Sequence, residues 1–151
     1  MSLATAESTR CIVVERVMPH PPEKIWRALT QSALLEAFLM KNDIEPVVGH
    51  KFNFWSKPIA GWNGVSDCEV LIVEPCKRLA WSQCASGEQA ANGLRSVVTW
   101  TLTAVSGGTL VRMEHSGFRP QDSGAFDAMS NGWPRVVAGL ERVAGLAESQ
   151  G

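Results

Sequence analysis

Two short helices early in the chain constrain the fold more than any other feature of the sequence. The segment Pro21–Leu39 has helical spacing, whereas the segments around it alternate as strands do until the C-terminal part is reached. Pro22 suits the first position of a helix, because its ring fixes a helical φ and the missing N–H would have no partner there. Apolar residues repeat at helical spacing in both halves of the segment: Ile25, Trp26 and Leu29, then Ala33, Leu34, Ala37 and Phe38. The order of strand, two helices, several strands and one long helix predicts a sheet wrapped around a helix, with a pocket between them.

Six segments have the β-branched or alternating patterns that are typical of strands. They are residues 10–18, 50–55, 65–74, 77–84, 95–105 and 109–116. Ser106, Gly107 and Gly108 form a hairpin signal between the last two segments. Strands at hairpin spacing predict an antiparallel sheet that has one apolar face.

One long helix is predicted near the C-terminus, with Asp122 or Ser123 as its N-cap. Its apolar residues fall at three- and four-residue steps and form one stripe: Phe126, Met129, Trp133, Val137, Leu140 and Ala144. Pro134 lies inside this stripe, so its ring should clash with the carbonyl of Ser130 and kink the helix. Only this helix is long enough to cover the apolar face. The sequence therefore predicts an α+β architecture, in which a twisted antiparallel sheet of about six to seven strands packs on the helix.

The composition excludes several functional classes. The 151 residues suit one domain, which is predicted to span residues 1–151. A net charge of −1 with scattered basic residues argues against a nucleic-acid partner, which needs a dense patch of lysine and arginine. No apolar stretch approaches the roughly 18 residues that cross a bilayer, and the N-terminus lacks the features of a signal peptide. We therefore expect no membrane partner and a cytoplasmic location.

The four cysteines do not predict a metal site. Cys11, Cys68, Cys76 and Cys84 include no C-x-x-C pair and have no histidine nearby, unlike the ligands of a tetrahedral zinc ion. Free cysteines on or near strands more often serve as small buried apolar residues. The sequence predicts neither a metal ion nor another cofactor.

Four segments, found in the same order, resemble a known family. They are Pro21–Thr30, Val73–Trp81, Gly107–Phe118 and Gly132–Leu140. Together they are similar to the activator-of-heat-shock-protein-90-ATPase-like group of the START-like superfamily, also called SRPBCC, over about Arg10 to Leu146. The resemblance implies a helix-grip fold with an internal cavity for hydrophobic small molecules. The family often has Trp-Phe where this chain has Ala37 and Phe38, so the aromatic plug in the second helix is expected to be thinner.

The function predicted from this resemblance is binding of a small hydrophobic or aromatic ligand in the cavity. The residues expected to line it lie on inner faces of strands or apolar faces of helices. They are Phe38, Phe52, Phe54, Trp81, Gln83, Val98, Trp100, Met113, His115, Met129, Trp133 and Val137. Trp81 and Trp100 suit a pocket wall as well as a packed core, whereas Trp26 and Trp133 are expected in the core.

His115 leaves two interpretations open. On the inner face beside Met113, it could anchor a ligand, or act as the acid–base residue of a cyclase or lyase together with an inner carboxylate. Asp67, Glu69 and Gln83 could place polar groups in the same pocket. It could equally be a core histidine that hydrogen-bonds to the backbone or to water. A third functional alternative follows from the resemblance alone, namely co-chaperone-like stimulation of a heat-shock-protein ATPase.

Two tryptophans are expected outside the core. Trp55 falls on the outer face of its strand, and Trp62 lies in a connector with Gly61 and Gly64. Exposed apolar surface of this size can mark an interface. Trp55 and Trp62 therefore favour a homodimer.

Overall fold

A computed structural model gives the fold, and the structure describes residues 9–57, 63–86 and 93–149. The strands in these ranges are β1 (Arg10–Met18), β2 (Lys41–Asn42), β3 (Lys51–Trp55), β4 (Val65–Glu74), β5 (Arg78–Ala85), β6 (Arg95–Val105) and β7 (Gly108–Phe118). The helices are α1 (Pro22–Thr30), α2 (Ser32–Phe38) and α3 (Ser123–Ser149). A short 3-10 helix, Pro120–Asp122, leads into α3.

The strands form one antiparallel sheet in the order β1-β7-β6-β5-β4-β3-β2. Each of the six predicted strands is present, with ends that differ from the prediction by at most two residues. The alternation pattern does not predict β2, because two residues are too few to show a period. The side chain of Asn42 fixes this edge strand by donating to the carbonyls of Ser32 at 3.2 Å and Met40 at 2.9 Å. The sheet, α3 and the two short helices make up the predicted helix-grip fold.

The two short helices are confirmed, but their buried faces differ from the prediction. In α1, Ile25 and Leu29 are fully buried, whereas Trp26 is half-buried against the core instead of lying within it. In α2, Leu35 is the buried residue, and the predicted Ala33 and Ala37 are exposed. The larger Leu35 removes more apolar surface from water than either alanine could, and this decides which face of so short a helix turns inward.

Helix α3 packs on α1, α2 and β1. Its approach to α2 depends on Gly139, where a Cβ would lie 2.9 Å from the Cβ of Phe38. Arg16 of β1 forms an ion pair with Glu141, with 2.7 Å between Nε and Oε1. The helix is continuous through Pro134, which has no N–H to donate to Ser130. The kink at this position stays a prediction.

The turn before α3 is fixed by one residue pair. Asp122, one of the two N-cap candidates, precedes the first residue of α3 and accepts hydrogen bonds at 2.8 Å from both the backbone N–H and Nε of Arg119. These bonds lower the pKa of the Asp122 carboxyl from its ordinary value.

No helix in the described ranges is long and apolar enough to span a membrane.

The hairpin between β6 and β7 has a close contact that gives a testable prediction. A Cβ at Gly108 would overlap the backbone carbonyl oxygen of Met18 in β1. We expect Gly108→Ala to lower the free energy of unfolding by about 1–3 kcal/mol, because the strand must shift to relieve the overlap. Gly124 in α3 is the matched control, since its Cβ would meet no described atom within 4 Å apart from its chain neighbours and the backbone of its own helix. Gly124→Ala should be neutral or stabilising by up to about 1 kcal/mol in urea denaturation; equal losses in both variants would contradict the prediction.

Candidate functional site

Cross-strand pairing brings the predicted ligand-binding residues together on the inner face of the sheet. Val98 of β6 lies opposite Trp81 of β5 and opposite His115 of β7. In the next row Trp100 lies opposite Met113. Directly opposed residues of antiparallel strands project from the same face. The predicted face of each strand is therefore the face that packs towards α3.

Ring contacts connect the sheet to α3 through these residues. The rings of Phe52 and Phe54 lie 5.9 and 5.7 Å from the Trp81 ring, centroid to centroid. Trp81 lies 6.5 Å from Trp100, and Trp100 lies 5.9 Å from Trp133 of α3. The Trp100–Trp133 pair meets edge to face at 74°, which is a favourable arrangement. We call these five residues the aromatic wall.

The interior beside the aromatic wall is packed. Ten of the predicted ligand-binding residues are buried: Phe52, Phe54, Trp81, Gln83, Val98, Trp100, Met113, His115, Trp133 and Val137. The other two, Phe38 and Met129, are half-buried and pack against the core. Trp81 and Trp100 have 0% exposure, so no void that admits water borders them. The internal cavity stays a prediction, and opening one beside the wall would require side chains to move.

His115 lies in a chain of hydrogen bonds between α3 and the sheet. Trp133 Nε1 donates to His115 Nδ1 at 3.0 Å. His115 Nε2 lies 2.7 Å from Ser96 Oγ, and Ser96 Oγ donates to the carbonyl of Gln83 at 2.7 Å. An indole nitrogen can only donate, so His115 Nδ1 must be the acceptor and Nε2 must carry the proton. The imidazole is therefore neutral, with both nitrogens engaged.

Burial reinforces the neutral state of His115. The side chain has 0% exposure, and burial lowers the pKa of His115 to about 4. Its ring also packs edge to face on Phe118, with 4.7 Å between centroids. This environment is that of a satisfied core histidine, the second interpretation left open by the sequence. It offers neither a free lone pair nor a free proton to a substrate.

The carboxylates considered as partners of His115 do not share its face of the sheet. Asp67 lies opposite Asn53, and Glu69 lies opposite Lys51, on the face away from α3. Asn53 Nδ2 donates to Asp67 Oδ1 at 2.7 Å. The expectation that Asp67 and Glu69 point into the pocket is therefore wrong. Gln83 does point inward, where its Oε1 accepts from Trp81 Nε1 at 3.0 Å.

Trp100 differs from the other two tryptophans of the wall in its hydrogen bonding. Trp81 and Trp133 donate their indole N–H groups to Gln83 and His115. Trp100 Nε1 is buried and has no acceptor among residues 9–57, 63–86 and 93–149. The sequence predicts Trp100 on an inner face, as pocket wall or packed core, but it does not show this difference in hydrogen bonding, which depends on the acceptors that lie nearby in space.

Cys68 and Cys76, which line two surface pockets, are not activated thiols. Burial raises the pKa of the Cys68 thiol well above its ordinary range, and burial with the nearby Glu23 raises that of Cys76. Both thiols are therefore poor nucleophiles. A pocket of about 480 Å³ lies between the start of α1 and the β4–β5 turn, and one of about 420 Å³ lies beside β3–β5. Within the described ranges no group of three or more His, Cys, Asp or Glu residues could hold a metal ion.

The outer tryptophans are only partly described. Trp55 is 37% exposed, as the alternation of β3 predicts. Trp62 lies outside the described residues. The homodimer stays a prediction, which a single chain does not test.

The comparisons with known proteins agree with the fold. The sequence profile of the family described as activator of Hsp90 ATPase homolog 1-like protein matches residues 19–145. Among solved structures, protein MLL2253 from Mesorhizobium loti is 51% identical, with a TM-score of 0.81 over 89% of this chain and 96% of that chain. Protein BH1534 from Bacillus halodurans is 26% identical, with a TM-score of 0.73 over 89% of this chain and 96% of that chain.

A more distant likeness adds support for the fold alone. The Aha1 dimer from Colwellia psychrerythraea is 22% identical to this chain, with a TM-score of 0.70 over 87% of this chain and 93% of that chain. The search of curated proteins gives no match. The assignment of an activity therefore depends on the geometry of the site.

Proposed function

The chain belongs to the family of activator of Hsp90 ATPase homolog 1-like proteins, and from that premise we propose that it binds a small, neutral, ring-bearing molecule between the sheet and α3. The aromatic wall supplies flat apolar surface of the kind that binds rings. Binding, without chemical conversion of the ligand, is the activity that this arrangement supports best.

The observation that carries the proposal is the contrast between the two halves of α3. The C-terminal half is anchored, because Val137, Leu140 and Val143 are buried. In the N-terminal half Phe126 and Met129 lie on the same stripe but are only partly buried, although Phe126 contacts the ring of Phe118. An apolar stripe whose burial is incomplete at one end, next to an aromatic wall, suits the entrance of an apolar ligand.

The proposed opening involves the N-terminal half of α3. The wall is closed, so a ligand gains room only if Trp133 and the turns before it move away from Trp100. Pro134 follows Trp133 directly and cannot donate a helical hydrogen bond to Ser130, so the helix is held less firmly there. Movement about this point would separate the loosely covered half from the anchored half.

The buried groups of the core favour a neutral ligand. His115 is neutral, the raised pKa of Cys68 keeps that thiol protonated, and Asp122 is paired with Arg119. An ionic ligand would lose its hydration without gaining a partner of opposite charge, which is costly in an apolar interior. We therefore expect neutral molecules to bind and their charged analogues to be rejected.

The test uses the neutral fluorescent probe N-phenyl-1-naphthylamine. We expect saturable binding with one probe per chain, followed by energy transfer from tryptophan. Met129→Glu places a charge at the proposed entrance and should weaken binding at least about tenfold. Ala128→Glu is the matched control, because Ala128 is the exposed neighbour of Met129 on the same helix, and its affinity should match that of the native chain. Absence of saturable binding, or equal weakening in both variants, would contradict the proposal.

The alternatives receive less support from the site. Acid–base catalysis by His115 would need an inner carboxylate as its partner, but Asp67 and Glu69 lie on the face away from α3. Co-chaperone-like stimulation of a heat-shock-protein ATPase rests on the family description alone. Ligand binding is therefore preferred over both.

A further inference from the structure

We infer that the ligand carries a neutral hydrogen-bond acceptor, such as a carbonyl oxygen, that accepts from the indole N–H of Trp100. This inference rests on the proposed binding function, and it names the chemical class that the same site would take. An apolar ring system with a neutral carbonyl, an aryl ketone for example, satisfies both the wall and the indole.

The first step of the argument is the cost of the unpaired donor. Trp100 has 0% exposure, and its Nε1 finds no acceptor in the part of the chain that the structure describes. A buried donor that has lost its hydrogen bonds to water without gaining a new partner destabilises the fold. Phenylalanine would supply apolar ring surface at this position without the unpaired group. The indole N–H therefore contributes nothing to the stability of the closed form, but it can donate a hydrogen bond to a ligand.

The second step is that the neighbouring polar groups are already paired. Trp81 donates to Gln83, and Trp133 donates to His115. His115 in turn donates to Ser96, whose hydroxyl donates to a backbone carbonyl. Of the three indole groups in the wall, only that of Trp100 is left without an acceptor. In the closed form the site therefore offers one unpaired donor, and its complement on the ligand is an acceptor.

The third step is the position of Trp100 within the wall. Its ring lies 6.5 Å from Trp81 on the sheet and 5.9 Å from Trp133 on α3. Trp133 is the member of the wall that belongs to the proposed moving half of α3. Its withdrawal would uncover Trp100, so the unpaired donor lies where the opening would admit the ligand.

The charge of the acceptor follows from the surroundings of Trp100. The ring contacts of Trp100 are with Trp81 and Trp133, and its cross-strand neighbours are Leu79 and Met113. None of these side chains is cationic, so a carboxylate or phosphate would stay unneutralised. A neutral oxygen needs only the single hydrogen bond that the indole supplies.

The experiment compares indane with 1-indanone, which differ by one CH2 replaced by a carbonyl. Dissociation constants are measured by NMR titration of the 15N-labelled native chain and of Trp100→Phe. A carbonyl that enters an apolar site without a donor loses affinity, because its bonds to water are not replaced. We therefore expect the preference for indanone over indane to fall by about 2- to 10-fold in Trp100→Phe. The indole proton of Trp100 should shift downfield with indanone and not with indane.

Trp81→Phe is the matched control. It removes an indole from the same wall, but one whose N–H is already donated to Gln83. Both probes should bind Trp81→Phe with altered affinity but with the native preference between them.

The outcomes separate this inference from the proposed function. If both probes bind and the preference is the same in the native chain and Trp100→Phe, the inference is overturned while ligand binding stands. In that case the indole N–H is satisfied otherwise, for example by the face of a neighbouring ring. If neither probe binds the native chain at NMR concentrations, the inference is overturned, and the titration with N-phenyl-1-naphthylamine decides separately whether ligand binding stands.

Discussion

Replacing Trp81 with alanine is expected to lower the free energy of unfolding by about 3–5 kcal/mol, among the largest effects of any single substitution in this chain. Trp81 has 0% exposure and lies against the rings of Phe52, Phe54 and Trp100. The substitution removes this packing and leaves a void that a rigid antiparallel sheet cannot close. It also leaves Gln83 Oε1 without the N–H that it accepts at 3.0 Å, which adds to the loss.

The measurement is urea denaturation followed by circular dichroism, with Trp55→Ala as the control. Trp55 is a residue of the same type on the same sheet, but it is 37% exposed on the opposite face. We expect its loss to be below about 1 kcal/mol. A loss of less than about 2 kcal/mol for Trp81→Ala would show that Trp81 borders open space, and the packed description of the wall would then be wrong.

The strand faces could be predicted because a period of two needs only local information. The alternation over Val98, Trp100 and Leu102 fixes which side of β6 is apolar, and the structure buries all three. The same holds for Val111, Met113 and His115 on β7. Burial on one face stabilises one register, so a correct period gives the correct inner residues. This is why the inner faces of β6 and β7 could be predicted from the sequence.

The features that the sequence did not predict depend on contacts between distant segments. Asp67 and Glu69 are an exception, because they alternate along β4 with buried residues and local alternation alone turns them outward. The buried face of α2 was decided by Leu35 in a seven-residue helix, where a stripe of helical period is barely defined. The hydrogen bond from Trp133 to His115 joins α3 to β7, so the choice between a catalytic and a core histidine required the assembled fold.

Acidification should destabilise the fold through His115 before the carboxylates are protonated. In the unfolded chain this histidine has its ordinary pKa of 6.5, whereas burial lowers the pKa of His115 to about 4 in the folded chain. The unfolded state therefore binds the proton more tightly between these two values. The contribution of neutral His115 is fully present above pH 6.5 and is lost as the pH falls from about 6.5 to about 4. The shift corresponds to a loss of about 3 kcal/mol over that window.

The matched variant is His115→Gln, which does not titrate and whose amide can both accept and donate. Urea denaturation of both proteins at several pH values from 7.5 to about 4 isolates the contribution of His115, because the other titrating groups are common to both. Asp122 has a lowered pKa in the folded chain, so its pair with Arg119 loses stability only when the pH falls below the ordinary pKa of 3.8. This pH window lies below that of His115. We expect the native chain to lose stability relative to His115→Gln as the pH falls. Parallel curves of the free energy of unfolding against pH would mean that burial does not hold His115 neutral. A His115 nitrogen that is free to titrate would then support the catalytic interpretation.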